Sequence, residues 1–207
     1  MDVVTLLIAA GAALFFAIRL YQVLGRRTGH TPEPQPASAN DGPKAADAET
    51  PMSPAFAGPA GHGLSAIAEA DPRFDPVEFV AGARAAYTLI VEAFAKGEKE
   101  TLRSLLSDKV YGRYADAIDA RLAKDEVTTT EIDRIAEAQI SGAELDGKTA
   151  RVKVHFKADI ATETRDKDGQ LVAGDLANKI DADEIWTFER PIDSRDPNWV
   201  LAGVRTN

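Results

Sequence analysis

The 207 residues include no cysteine. That excludes a disulfide framework, a thiol nucleophile and a Cys-based metal site, and leaves nothing that demands an oxidising compartment. Histidine is scarce too, with three copies. Two of them, His30 and His62, fall in a Pro-rich stretch, so little is left for imidazole acid–base chemistry or metal ligation. Basic charge is in deficit: 24 Lys and Arg stand against 33 Asp and Glu, for a net charge of -9. No Lys/Arg cluster follows Arg27, which argues against a nucleic-acid surface, since such a surface neutralises phosphates with grouped cations. There is no Gly-rich phosphate loop, no His-Glu-x-x-His and no nucleophile elbow.

What the sequence does contain begins with "VVTLLIAAGAALFFAIRLYQVLGRR". Val3 to Ile18 carries no charge, and the apolar character runs on past Arg19 to Leu24. A spanning helix needs about 20 mostly apolar residues, and Arg19 can snorkel its head toward the headgroups. A cleaved signal would want a basic start and a small-residue cleavage site. Here Asp2 comes first, and Arg19, Arg26 and Arg27 flank the far side. The expectation is a retained single-span anchor over residues 1–27, rather than a cleaved signal or the buried helix of a soluble domain. The three arginines form its cytoplasmic flank, the N-terminus lies outside and the remainder is cytoplasmic.

Residues 28–63 are rich in Pro, Ala, Gly and Ser and nearly free of large apolar side chains. Such a composition cannot offset its ordering entropy and reads as a disordered linker. Order is expected from Leu64. Asp75-Pro76-Val77-Glu78 is a helix start, with Asp as N-cap and Pro in the first position. Val77, Val80, Ala83, Tyr87, Ile90, Val91 and Phe94 follow as a helical stripe that Gly97 ends. A short helix carries Leu102, Leu105 and Leu106. A further one, capped by Ser107 or Asp108, carries Val110, Tyr114, Ala117, Ile118 and Arg121.

After Asp125 the period shortens to two. In "KTARVKVHFKADIAT" the residues Ala150, Val152, Val154, Phe156, Ala158 and Ile160 share one face. Asp146-Gly147 joins this strand to a partner in which Ala136, Ala138 and Ile140 alternate and Gly142 marks a bulge. "ANKIDADEIWTFER" and "NWVLAGV" add strands. Asp181 and Asp183 share a face with Ile185, Glu184 shares the other with Trp186, and so the three carboxylates do not converge. His155 sits on the polar face between lysines and reads as exposed. Helices first and antiparallel strands after give an α+β domain over residues 64–207, with the helices packed on one sheet face.

The anchor, the Pro-rich linker, "FDPVEFVAGARAAYTLIVEAFAKGE", "LRSLLSDKVYGRYADAI", "WTFER" and "PNWVLAGV" together resemble the Tim44-like domain family. The resemblance extends in particular to its bacterial, membrane-anchored TimA-type branch. The resemblance implies a cone-shaped domain like nuclear transport factor two, with helices over a curved antiparallel sheet around an apolar cavity. It also implies a non-enzymatic adaptor with no catalytic residue and no cofactor. The mitochondrial member serves the presequence translocase, contacting cardiolipin-rich membrane, the import channel and a DnaK-type chaperone. This chain differs in having an anchor of its own and in lacking that adaptor's long charged N-terminal region.

The implied partners are the membrane, a translocase or chaperone component, and a lipid in the cavity, with no nucleic acid. Tyr87, Phe94 and Tyr114 from the helices and Trp186, Phe188 and Trp199 from the strands are the candidates for the cavity or partner surface. Core packing is the other reading of the same rings. Two different functions stay open: an enzyme or small-ligand binder on the same cone, with Glu184 and Tyr114 as its polar groups, and a periplasmic assembly component of a secretion system.

Overall fold

A computed structural model describes residues 60–206. The expected anchor with Arg19, Arg26 and Arg27, and the expected linker as far as residue 59, lie outside the described residues. Four helices come first: α1 (Gly61–Ala70), α2 (Pro76–Lys96), α3 (Lys99–Leu105) and α4 (Asp108–Leu122). Five strands follow: β1 (Val127–Asp146), β2 (Thr149–Arg165), β3 (Leu171–Gly174), β4 (Ile180–Pro191) and β5 (Val200–Thr206). All strand pairs are antiparallel, in the order β1-β2-β4-β5, with β3 added to the far end of β2. This is the expected α+β arrangement of helices against an antiparallel sheet.

Helix α2 is fixed at both ends by its sequence. The Asp75 carboxylate accepts from the backbone N–H groups of Val77 (2.7 Å) and Glu78 (2.9 Å), and Gly97 closes the helix in the left-handed region that a side chain would strain. Its buried face is Phe79, Ala83, Tyr87, Ile90 and Ala93. Val77, expected in that stripe, is 70 % exposed. Two residues from Phe79 is about 200° around the helix, so only one of the two can face the core. Helix α1 begins at Gly61, three residues ahead of Leu64, and buries Leu64 and Ile67. It lies hard against β1: a Cβ on Gly63 would stand 1.9 Å from the carbonyl oxygen of Ala143.

In β2 the expected alternation holds, with Ala150, Val152, Val154, Phe156 and Ala158 all buried. In β1 it breaks. Register shifts leave Asp133, Ala136 and Ser141 each without a Cα partner on β2. Ala136, expected inward, is therefore the unpaired residue of a bulge and exposed, while Ala138 turns in. Gly142 does lie at such a shift. Bulges bend a strand and add twist, so β1 cannot run flat.

The helix layer is stitched down by polar contacts. Arg84 Nη1 donates to the carbonyl of Ile135 at 3.0 Å, beside a bulge. Arg121 Nη2 donates to the carbonyls of Phe94 and Ala95 at 2.9 Å each, supplying donor-starved α2 carbonyls with a cation at the negative helix end. Ser107 starts α4 with its backbone N–H on the carbonyl of Leu201, which ties the α3–α4 corner to β5.

Candidate binding cleft

Trp186, Phe188 and Arg190 stand at alternate positions of β4 and so face the same side. The first two are 2 % exposed and belong to the core. The third places a guanidinium at the end of the same row, where a lone charge would be very costly. Asp71, at the C-cap of α1, supplies the counter-charge. Arg190 Nη2 bonds to Asp71 Oδ2, with the two side chains 5 % and 4 % exposed. The Arg190 hydrogen bond holds the Asp71 carboxyl below its ordinary range. Burial works against this, and the backbone N–H of Arg73 assists.

A cleft of about 350 Å³ opens beside this pair. Trp199 stacks over the Arg190 guanidinium at 5.3 Å and forms the floor with Phe79 (4.9 Å between ring centres) and Phe74 (5.7 Å). Phe188 closes the back, 5.9 Å from Phe79. Gly82 of α2 lines one wall, and exposed Asp75 and Glu78 form the rim. The rings touch one another, so they make a continuous apolar floor rather than a box around a guest.

Of the residues singled out from sequence, Phe188 and Trp199 meet at this cleft. Trp199 stands one residue ahead of β5, in the incoming loop. Tyr87 and Trp186 lie behind, stacked at 4.7 Å, with Phe156 at 4.8 Å from Tyr87. Phe94 and Tyr114 pair at 4.9 Å between α2 and α4 and do not line the cleft. Burial, and then the proximity of Glu184 and Tyr114, pushes the Tyr87 phenol well above its ordinary value. Glu184 faces inward as the alternation required and accepts from the Trp186 indole N–H at 2.9 Å.

Asp71, Phe79 and Arg190 escaped the sequence reading. Counting by twos from Trp186 would have placed Arg190 inside. His155, expected to be exposed, is 18 % exposed and held on the sheet's outer face: Nε2 is 2.7 Å from Asp183 Oδ1 and Nδ1 is 3.7 Å from Glu137 Oε1. Its two nitrogens point to different carboxylates, and among the described residues no group of three acidic or imidazole side chains converges on a metal position.

The family model described as the Tim44-like domain matches residues 60–206. The chain belongs to the Tim44-like domain family. Among solved structures, the chain is similar to the intermembrane space region of the chloroplast protein ARC6 at 14 % identity and a TM-score of 0.40, over 65 % of this chain and 98 % of that one. It is also similar to an NTF2-like family protein from Streptomyces avermitilis, assigned as a dehydratase, at 16 % identity and a TM-score of 0.33, over 63 % and 95 %. No curated protein matches it. The cleft described above lies wholly within the Tim44-like domain.

Proposed function

We propose that this Tim44-like protein is a non-enzymatic adaptor of the bacterial, membrane-anchored type, whose domain holds a partner protein at the cytoplasmic face of the inner membrane. Family membership and the uncharged Val3–Ile18 run flanked by arginines support this reading. The cleft is the observation that carries it. Its floor is apolar and aromatic, the composition of binding hot spots. Its two buried charges, Asp71 and Arg190, neutralise each other, and Asp75 at the exposed rim caps α2. An enzyme on this scaffold would need a polar pair open to the cavity. Tyr114 and Glu184, the two groups considered for that role, do not line the cleft.

Fractionation and reporter fusion test the proposal together. The full chain should remain in the membrane pellet after carbonate extraction, and an alkaline phosphatase fused at Asn207 should be inactive. Release into the soluble fraction would remove the anchor. An active fusion would place the domain in the periplasm and favour the secretion-assembly reading.

A further inference from the structure

The lining of the cleft narrows the chemistry of its occupant. Its charged residues are Asp71, Asp75 and Glu78 against Arg73 and Arg190, a balance of one negative charge. Both cations are committed to one carboxylate, since Arg73 Nε lies 3.3 Å from Asp71 Oδ1 and Arg190 bonds to Oδ2. Asp75 and Glu78, both exposed, are left to present negative charge at the opening. The positive end of α2 would attract an anion, but Asp75 already occupies that position with its own carboxylate. A phosphate or fatty-acid headgroup would therefore meet two like charges, whereas a cation is drawn in. The interior is apolar, and there is open space above Gly82, where a Cβ would meet nothing within 4 Å.

From this lining we infer that the cleft takes a short extended segment of a partner protein in which a lysine or arginine neighbours an apolar side chain. The apolar group seats on Trp199 and Phe79 beside Gly82, and the cation meets Glu78 and Asp75. The inference rests on the adaptor reading for its class of partner, protein rather than metabolite. An anionic phospholipid is the competing occupant, and the rim charge disfavours it.

The test uses the full chain in neutral detergent and a randomised short-peptide library, with dihexanoyl phosphatidylglycerol as the lipid probe. Selected peptides should pair an apolar residue with Lys or Arg. Glu78→Lys, an exposed change, should weaken them about tenfold and strengthen their Glu-substituted counterparts. Gly82→Phe should abolish binding of both while leaving the melting temperature in place. Should Gly82→Phe fail to fold, the opposite response of basic and acidic peptides to Glu78→Lys still decides the matter. Selection without a basic preference, or indifference to Glu78→Lys, would overturn the inference. So would displacement of peptide by the lipid probe, with Glu78→Lys tightening the lipid. Partner capture that survives Gly82→Phe would refute the cleft and leave the adaptor standing. A chain that binds these peptides but washes off the membrane would do the reverse.

Discussion

Arg190 and Asp71, 119 residues apart in sequence, are joined by a direct bond between buried side chains. The pair locks the end of α1 to the end of β4 and lets an arginine complete a strand face begun by Trp186 and Phe188. It also fixes the platform on which Trp199 stacks. The cleft is thus a consequence of a charge placed in a core row and neutralised from a distant helix end.

Breaking that pair from one side should be severe. Asp71→Ala leaves Arg190 an uncompensated buried charge, for an expected loss of about 3–5 kcal/mol, and Arg190→Met should cost less, because Arg73 Nε still lies 3.3 Å from Asp71 Oδ1. Arg190 Nε has no hydrogen-bond partner among the described residues, so the pair is not fully satisfied even when intact. Replacing both together, Asp71→Leu with Arg190→Met, should therefore cost far less than the sum of the single changes. Urea denaturation of the four proteins in a double-mutant cycle gives the coupling directly. Additive losses would mean that the two groups act independently.

The same pair sets a pH dependence. The Asp71 carboxyl titrates below its ordinary value of 3.8 in the folded protein, because Arg190 bonds to its charged form. The folded state releases that proton more readily than the unfolded chain does. Its contribution is therefore present above about pH 4 and is lost as pH falls through the lower folded value. Asp159, Glu163 and Asp193 are depressed in the same direction by Arg134, Arg165 and Lys148, but those three cations are exposed, so solvent screens the gain. The acid limb of a stability profile should flatten in the Asp71→Leu, Arg190→Met protein. An unchanged limb would assign acid unfolding to other groups.

Tyr87 governs the alkaline side. Its phenol is raised above the ordinary 10.0 by burial and by Glu184, so the unfolded chain loses that proton before the folded one does. Stability from this group is complete below about pH 10 and declines as pH rises beyond it. Tyr87→Phe removes the titration, and its stability should fall less between neutral and strongly alkaline pH than that of the parent. Parallel alkaline limbs in the two proteins would exclude Tyr87 as the source.

Two glycines should respond oppositely to alanine. At Gly63 the new Cβ would collide with the Ala143 carbonyl and force α1 away from β1, for a loss of about 1–3 kcal/mol or more. At Gly82 it meets nothing, and a helix interior prefers alanine by about 0.5–1 kcal/mol. Thermal melts of the two variants check the contrast.

Where one face of an element was plainly buried and its register unbroken, the sequence was easy to read. The β2 alternation from Ala150 to Ala158, the Asp75 cap and the Gly97 stop all rest on local chemistry. Ala136, expected to alternate with Ala138 and Ile140, lies exposed, because bulges in β1 shift the parity of the strand and their position depends on pairing with β2. Val77 fits the apolar recurrence of the stripe but faces outward, because the phase of α2 is set by Phe79 packing on Phe188 and Trp199. The cleft itself was only half legible. Phe188 and Trp199 stood out as large rings, whereas the Asp71–Arg190 bond is long-range and no local pattern announces it.

The two tryptophans separate core from surface. Trp186 is 2 % exposed, packs on Tyr87, meets Phe156 edge to face and bonds to Glu184, so Trp186→Ala should cost about 3–5 kcal/mol and lower the melting temperature sharply. Trp199 lies in a loop at the cleft, half-buried, with one side on the Arg190 guanidinium. Its removal takes away part of the floor but leaves the sheet pairing of β4 with β5 in place. Trp199→Ala should therefore melt much closer to the parent while losing most partner capture at temperatures where it remains folded. A conservative Trp199→Phe should recover part of that capture, because an aromatic face is restored without the full ring. Differential scanning calorimetry paired with binding of cleft-selected peptides distinguishes the roles. Equal destabilisation by the two alanine changes, with binding intact in the folded fraction of Trp199→Ala, would make Trp199 a packing residue only and move the partner surface elsewhere on the domain.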